Sequence, residues 1–445
     1  MPATLASLPT LPVLPLVGHA FAFARDPLGL VDQLRDFGPI VPIRLGSFQL
    51  AFVREPALIE EAMVRRKDHL RKDRVTRRLS QVLGQGLLTS EGEPWQRNRR
   101  LIAPVFGPRQ MAPLASVMAD CSRTFAESLP EGIVDLRPRL MSLTLDIVVR
   151  TLFDPSLHGA VGHLGAHVDR MVEAAGQEAD GLAAFLPLWV PLPSRRTLAR
   201  ERAALDAIFF DLVRRRRAAG EGGSDLLGRL LSARDDDGTA LSDEQLRDEL
   251  VTLFIAGHET TAVQLSWTLH LLAHHRDVQE ALVAEQRAVL GDREAEAADL
   301  GRLPLQEAVL SESLRLYPPA WILGREVVTP FELGGVHIPA GTELDFSPWL
   351  LHRDARFWPD PLAFRPERWQ NGEAEAAPRH AYFPFGVGNR SCVGQSFARL
   401  EAGLALATLL RRWSFAPGDR GPAVPSPAIT LRPKDGLYLE IRRRA

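Results

Sequence analysis

The stretch FPFGVGNRSCVGQSFARLEA, residues 383–402, places one of only two cysteines among glycines and beside an arginine. After Cys392, apolar residues recur at spacings of three and four, which predicts an amphipathic helix; they are Phe397, Leu400, Leu404 and Ala407. The cysteine therefore lies at or just before a helix N-terminus, where the helix dipole and Arg390 favour a thiolate. Such a sulfur can act as a nucleophile or a metal ligand. Glycines would let the backbone approach a flat partner closely: Gly386, Gly388 and Gly394.

The residues alone leave several interpretations of this loop open. A lone cysteine is often a buried structural residue. It could also be a hydrolase or transferase nucleophile, with His380 as a nearby base. A phosphate-binding loop has less support, because the GxG follows no convincing strand and no Lys-Ser/Thr ending is present. A thiolate bound to heme iron explains more, because one strongly donating sulfur favours cleavage of the oxygen–oxygen bond.

The bulk composition indicates a large globular protein and excludes some functions. The chain has 445 residues, of which 45% are hydrophobic and 24% charged, enough apolar material for a large core. A net charge of −2 argues against nucleic-acid binding, because that binding needs clustered excess Lys and Arg. The two cysteines, Cys121 and Cys392, are far apart and form no CxxC pair, so we expect a reducing, cytoplasmic compartment.

The hydropathy pattern predicts a soluble protein without membrane attachment. Residues 1–17 form a proline-rich lead-in without a basic n-region, and no run of about 18 apolar residues occurs elsewhere.

Residues 40–53 and 327–346 are typical of short strands with glycine turns, whereas residues 55–320 are mostly helical in pattern. We predict a mainly α fold with small β-sheets (α+β), forming a single domain over residues 1–445.

The longest helix is expected to begin after Ser242, whose side chain can form a capping box with Gln245. Its end is marked by cations suited to a helix C-terminus: His274, His275 and Arg276. The helix would have about 32 residues and a length on the order of 48 Å. Its middle, VTLFIAGHETTAVQLSWTLHLLA, is apolar around most of its circumference, which predicts a helix inside the core.

The segment AGHETT, residues 256–261, interrupts this apolar helix with residues that burial disfavours. In a structural interpretation, a threonine hydroxyl bonds to the carbonyl four residues earlier, and Gly257 allows close helix packing. In a functional interpretation, the glycine admits a large group to the helix face, while Glu259 and Thr260 supply a proton route and a hydroxyl. The two interpretations are compatible.

The chain resembles the cytochrome P450 superfamily of heme-thiolate monooxygenases in five motifs that occur in the family's order. FGVGNRSCVG, residues 385–394, fits the heme-binding signature FxxGxRxCxG, and AGHET, residues 256–260, fits the oxygen-binding helix. Three further segments fit the ExxR, meander and WxxxR motifs: ESLR (312–315), RPERW (365–369) and WQRNR (95–99). The resemblance implies the P450 fold, a single helical heme domain with a long central helix.

The resemblance implies heme b as the cofactor, with its iron bound by the thiolate of Cys392. Phe385 would pack on the thiolate side of the heme. The heme propionates would pair with Trp95, Arg99, Arg390, Arg325 and, as a further candidate, His352. Four other heme contacts follow from motif position: Gly386, Gly394, Ala256 and Gly257.

The resemblance also assigns roles away from the propionates. Thr260 and Glu259 would be catalytic and relay protons during oxygen activation. Glu312, Arg315 and Arg368 would form a buried ion-pair network that organises the cysteine side without taking part in the chemistry.

The residues at the family's pocket positions are mostly large and apolar, which predicts an apolar substrate. They are Leu253, Phe254, Trp321, Ile322, Phe185, Trp189 and Ile429. A terpenoid or another bacterial secondary metabolite is favoured, and fatty acids, steroids and polyketides are open alternatives.

The implied reaction inserts one atom of O2 into the substrate, by hydroxylation or epoxidation. The sequence contains no flavin or iron–sulfur module, so electrons would come from a ferredoxin and ferredoxin reductase or an equivalent donor. Five arginines could dock an acidic ferredoxin: Arg97, Arg100, Arg399, Arg411 and Arg412. We expect a monomer. The alternative is a thiolate-heme protein without oxygenase activity, either a sensor or an isomerase or dehydratase.

Overall fold

The computed structural model describes residues 3–152, 165–167, 170–171, 174, 190–220, 225–235 and 237–444. The chain divides into two compact units: a first unit of Met1–Arg77 and Leu314–Cys392, and a second unit of Arg78–Ser313 and Val393–Ala445. Over the described residues the fold is mainly α-helical with small β-sheets, which confirms the predicted fold class. The single domain over residues 1–445 stays a prediction.

The helices carry most of the chain. In chain order they are α1 (Ala20–Arg25), α2 (Pro27–Gln33), α3 (Pro56–Glu60), α4 (Arg74–Leu83), α5 (Gly92–Ile102), α6 (Pro108–Ser128), α7 (Leu136–Leu152), α8 (Pro193–Ala219), α9 (Leu226–Ser232), α10 (Asp243–His274), α11 (Arg276–Leu290), α12 (Ala297–Leu300), α13 (Pro304–Leu316), α14 (Pro348–Leu351), α15 (Glu373–Ala376) and α16 (Gln395–Arg412). A π-helical turn, Glu61–Arg65, extends α3.

The strands are short and form separate sheets in the two units. They are β1 (Ala3–Thr4), β2 (Ile40–Leu45), β3 (Phe48–Val53), β4 (Leu70–Lys72), β5 (Gly132–Asp135), β6 (Leu323–Val327), β7 (Phe331–Leu333), β8 (Val336–Ile338), β9 (Glu343–Phe346), β10 (Trp413–Pro417), β11 (Pro425–Pro427), β12 (Leu431–Pro433) and β13 (Tyr438–Arg443). The first unit holds sheets of order β2-β3-β9-β6-β4 and β1-β8-β7. The second unit holds the sheet β10-β13-β5 and the hairpin β11-β12.

The predicted hairpin at residues 40–53 is present in the first unit. Strands β2 and β3 pair antiparallel and end in the pair Leu45 and Phe48. Between them Gly46 has a φ of +62°, a left-handed conformation that glycine adopts without steric cost. Most apolar residues of both strands are buried, and the hairpin forms one edge of the largest sheet in the described residues.

Helix α10 is the longest element of the second unit, and its 32 residues match the sequence prediction. The capping box is complete: the backbone N–H of Gln245 donates to Ser242 Oγ at 3.1 Å, and the backbone N–H of Ser242 donates to Gln245 Oε1 at 2.9 Å. Side chains of α10 are buried almost throughout, and the helix packs against α7, α8 and α16. Because most of these side chains are buried, their polar groups need hydrogen-bond partners inside the protein.

Two carboxylates near the start of α10 hold the segment 84–90 of the same unit. Asp248 accepts the backbone N–H of Gln85 at 2.6 Å. Glu249 accepts the backbone N–H of Leu87 at 3.0 Å and Asn98 Nδ2 at 2.8 Å. Burial raises the pKa of Glu249 to about 7, although these two donors act in the opposite direction. No local pattern predicts these contacts, because the partners are 151 to 163 residues apart.

The raised pKa of Glu249 makes the stability of the protein depend on pH. The unfolded chain releases this proton near pH 4.3, whereas the folded chain holds it to about pH 7, so stability falls as pH rises through that window. We expect Glu249→Gln, which does not titrate, to gain stability relative to the parent between about pH 5 and pH 8, by up to about 3 kcal/mol. Denaturant unfolding of both proteins across this range measures the difference. A difference that stays constant with pH would contradict the prediction.

Candidate functional site

The cysteine loop is a compact turn in the first unit that ends at Cys392. The backbone N–H of Cys392 donates to the carbonyl of Phe385 at 2.8 Å, and that of Gly386 donates to the carbonyl of Phe383 at 3.0 Å. Between them a 3-10 turn spans Gly388–Arg390. Helix α16 then begins at Gln395, with Gly394 as its N-cap, so the cysteine lies just before a helix N-terminus as predicted.

Two glycines shape this loop for different reasons. Gly388 has a φ of +71°, and a Cβ there would lie 2.8 Å from the carbonyl oxygen of Met63. Gly386 has a φ of +77°, but the nearest atom to a Cβ there would be 3.8 Å away. Gly388 is therefore required by close packing against the π-helical turn, whereas at Gly386 the positive φ favours glycine without crowding.

The two cysteines have opposite environments. Cys392 is exposed, whereas Cys121 on α6 is buried. Burial, followed by the charge of Asp146, raises the pKa of Cys121 to about 12, so that thiol stays protonated. Only a thiolate binds metal well. Of the two sulfurs, the one at Cys392 is suited to hold an iron.

His352 anchors the start of the loop. Its Nε2 accepts the backbone N–H of Phe383 at 2.9 Å, and its ring packs against Tyr382 and Phe383. Burial, with the charge of Arg315, lowers the pKa of His352 to about 3, so the imidazole is neutral and can accept. The expectation that His352 is a propionate partner is therefore wrong: the residue is fully buried and supports the loop backbone.

Two buried arginines of the first unit bind backbone carbonyls. Arg315 donates from Nη1 to the carbonyls of His352 at 2.6 Å and Pro361 at 2.7 Å, and from Nη2 to that of Ala363 at 3.1 Å. Arg368 is also fully buried, and it donates to the carbonyl of Pro359 at 3.1 Å. It pairs with Glu373, a partner that no sequence motif predicts. These bonds tie the segment after α14 together, and the network of both arginines with Glu312 stays a prediction.

The middle of α10 has an open strip in the second unit. Most residues in the middle of the helix are buried, but Ala256 is exposed, and Ile255, Gly257 and Thr260 are partly exposed. Ala256 and Thr260 are four residues apart and share one face. Leu253 precedes them on that face and is 7% exposed. This strip is where a ligand can approach the helix.

Other residues of the AGHETT segment serve helix packing. A Cβ at Gly257 would lie 3.2 Å from Cγ2 of Val148 on α7, which supports the packing interpretation of this glycine. Thr260 Oγ1 donates to the carbonyl of Ala256 at 2.7 Å, the predicted bond to the carbonyl four residues earlier. Phe254 was expected in the pocket wall, but it is fully buried and packs against Phe209 and His258. It lies on the side of α10 away from Ala256, because two residues turn a helix by about 200°.

Glu259 is 5% exposed and accepts a hydrogen bond from Thr430 Oγ1 at 2.7 Å. Thr430 lies between strands β11 and β12, far from α10 in sequence. Sequence reasoning missed Thr430, because no motif or period connects it with Glu259.

The remaining predicted residues take varied positions. Trp95 is buried on α5, and Arg99 is half-buried four residues later. Phe385 and Arg390 are half-buried in the cysteine loop. The others are placed as follows: Arg325 on β6, donating to the carbonyl of Gly324 at 2.7 Å; Trp321, buried; Ile322, half-buried; and Ile429, 37% exposed. Phe185 and Trp189 lie outside the described residues.

The cysteine loop fits a heme. Its sulfur is exposed and lies just before a helix N-terminus, and a soft thiolate donor suits iron. Cys392 would hold the iron.

Comparison with known proteins agrees with this assignment. The sequence matches the cytochrome P450 family over residues 8–440. Cyclooctatin synthase of Streptomyces melanosporofaciens is 35% identical, over 95% of this chain and 92% of that protein. Pentalenene oxygenase of Streptomyces avermitilis is 32% identical, over 90% and 89% respectively. Among solved structures, retinoic acid-bound cyanobacterial CYP120A1 matches with a TM-score of 0.89 and 27% identity, over 100% of both chains.

The fold and the cysteine loop define a heme-thiolate protein. The chain belongs to the cytochrome P450 family and is a P450 monooxygenase, which uses O2 and electrons from redox partners to oxidise hydrophobic substrates. This confirms the resemblance. Within the described residues, every helix is too short or too polar to cross a membrane.

Replacing the thiol tests the assignment of Cys392. The reduced, carbon monoxide-bound protein is expected to show the red-shifted Soret band of thiolate ligation, and Cys392→Ser is expected to lose it. Cys121→Ser is the matched control and should keep the band, because that thiol is buried and protonated. Visible spectra of the three proteins decide the point. A red-shifted band in Cys392→Ser would overturn the assignment.

Proposed function

We propose that the protein is a terpenoid monooxygenase that hydroxylates or epoxidises its substrate. The observation that carries the proposal is the set of relatives from Streptomyces, whose names are cyclooctatin synthase, cyclooctat-9-en-7-ol 5-monooxygenase and pentalenene oxygenase. The second of these is 34% identical over 91% of this chain. The apolar residues at the predicted pocket positions, such as Leu253 and Ile429, support a hydrocarbon skeleton over an ionic substrate.

The proposed roles at the site follow from the chemistry of each residue. Cys392 holds the heme iron, and Phe385 with Gly386 and Gly394 shapes the loop around it. Trp95, Arg99, Arg325 and Arg390 bind the propionates, for which guanidinium donors are suited. The bound heme supplies the iron centre at which dioxygen is reduced and its oxygen–oxygen bond is broken.

Thr260 and Glu259 supply protons in this proposal. The hydroxyl of Thr260 lies on the open strip of α10, where it can donate a proton once its bond to the carbonyl of Ala256 is exchanged. Glu259 is the neighbouring carboxylate, and its burial keeps bulk water away from the relay. A directed proton supply favours oxygen insertion over release of hydrogen peroxide.

Removing the hydroxyl of Thr260 tests its proposed role in proton delivery. We expect Thr260→Ala to consume NAD(P)H but to form less product and more hydrogen peroxide. Ser266→Ala is a matched control, since Ser266 Oγ makes the same kind of bond, to the carbonyl of Ala262 at 2.7 Å, in a buried part of α10. The measurement is peroxide and product per electron. Unchanged coupling in Thr260→Ala would remove this residue from proton delivery.

The electron donor is proposed to be a separate ferredoxin with its reductase, and the enzyme a monomer in the cytoplasm. The five arginines expected to dock the ferredoxin have partners on this chain, which gives little support to them as a docking patch. Arg97 pairs with Asp235 at 2.9 Å, and Arg399 with Glu307 at 3.2 Å. The other three also have acidic or carbonyl partners: Arg100, Arg411 and Arg412.

The substrate class is tested by binding and turnover. We expect terpenes and terpene alcohols, among them pentalenene and cyclooctat-9-en-7-ol, to shift the Soret band of the oxidised, heme-loaded protein. The same compounds should stimulate NAD(P)H and oxygen consumption with surrogate ferredoxin components and gain one oxygen atom. Fatty acids, steroids and polyketides serve as comparison compounds. Stimulated turnover by one of these classes alone would contradict the terpenoid proposal.

A further inference from the structure

Thr430 belongs to none of the P450 motifs, but its side chain contacts Glu259 on helix α10. Glu259 and Thr430 are both buried, with exposed fractions of 5% and 6%. Their side chains meet at 2.7 Å between Thr430 Oγ1 and Glu259 Oε1. A buried carboxylate needs hydrogen-bond donors, and a hydroxyl at this distance is a strong one. The contact joins two elements of the second unit that are 171 residues apart.

The backbone around Thr430 is fastened to α10. The turn between β11 and β12 is closed by the backbone N–H of Ala428, which donates to the carbonyl of Thr430 at 3.1 Å. The carbonyl of Leu431, the next residue, accepts Trp267 Nε1 at 2.7 Å, and both side chains are fully buried. Residues 259 and 267 are about two turns apart on α10, so the hairpin is attached to the helix at two points.

This attachment fixes where the hydroxyl of Thr430 lies. A β-branched side chain has few rotamers, so a fixed backbone leaves Oγ1 little freedom. The hydroxyl in turn holds the Glu259 carboxylate in one orientation. A carboxylate that takes up and passes on protons works efficiently only when its oxygens keep a defined direction.

We propose that Thr430 is a positioning residue for proton delivery, which keeps the Glu259 carboxylate oriented for its exchange of protons with Thr260. The inference rests on the proposed roles of Glu259 and Thr260. Thr430 acts through Glu259 and is not itself a catalytic residue. Ile429, its neighbour in the turn, stands at a predicted pocket position, so the same turn carries a substrate-facing residue and the support of the acid.

The test uses the heme-loaded enzyme with three variants. Thr430→Val keeps the shape of the side chain and removes the hydroxyl, and Thr430→Ser restores it. Thr268→Val is the matched control, since Thr268 is a buried threonine on α10 that donates to Ser313 Oγ at 2.9 Å. We expect product per electron to fall roughly three- to tenfold in Thr430→Val, the effect of losing one hydrogen bond, and to recover in Thr430→Ser. The control should keep parental coupling.

Two measurements separate positioning from a loss of structure. Heme content and the substrate-induced Soret shift should stay at parental values in Thr430→Val. The carboxylate stretching band of Glu259, assigned by its absence in Glu259→Gln, should shift in Thr430→Val at constant pH. In the Glu259→Gln background, Thr430→Val should cause no further loss of coupling, because both changes act on one relay.

The outcomes distinguish this inference from the function it rests on. Parental coupling in Thr430→Val, while Thr260→Ala uncouples, would overturn the role of Thr430 alone. Parental coupling in both would overturn proton delivery by this helix segment as a whole. If Thr430→Val does not fold, Thr430→Ala replaces it, and an unshifted Glu259 band there would also overturn the inference.

Discussion

The burial of a 32-residue helix is the constraint on which the second unit depends. Most polar side chains in the middle of α10 are buried, and several of its groups bind polar groups of other elements of that unit. The carbonyl of His258 accepts Thr144 Oγ1 of α7 at 2.8 Å, and Thr268 donates to Ser313 at the end of α13. Glu249 holds the segment before α5, and Trp267 holds strand β12. Because the buried polar groups of α10 need hydrogen-bond partners, the helix also fixes the positions of the elements that supply those partners.

The features that the sequence predicted are those encoded within a few neighbouring residues. The capping box joins Ser242 to Gln245 three positions later, the turn depends on Gly46, and the start of α16 after Cys392 follows from apolar spacing. The residues of the cysteine loop alone left several interpretations open, and its assignment to heme came from the resemblance of five motifs to the P450 superfamily. Local patterns of this kind need no knowledge of tertiary contacts.

Features that depend on the rotation of a helix or on distant chain segments were not predictable. Phe254 belongs to an apolar run, and only the observed orientation of α10 assigns it to the contact with Phe209 instead of the open strip. Gly257 fits two purposes in sequence, and the close approach of Val148 supports the packing one. Thr430, Glu373 and Leu87 lie in segments without a motif, and Asn98 stands at a variable position of the WxxxR motif. Their roles come from burial, which forces polar groups together across the chain.

The attachment of the β11–β12 hairpin to α10 has a consequence for how this enzyme can change. Its turn carries Ile429 and Thr430 side by side, one at a predicted pocket position and the other bonded to Glu259. Under the roles proposed for both residues, a substitution that reshapes the turn for a larger or smaller substrate also disturbs the hydrogen bond to Glu259. Substrate range and the yield of product per electron would then change together, and directed evolution of one should be accompanied by selection for the other.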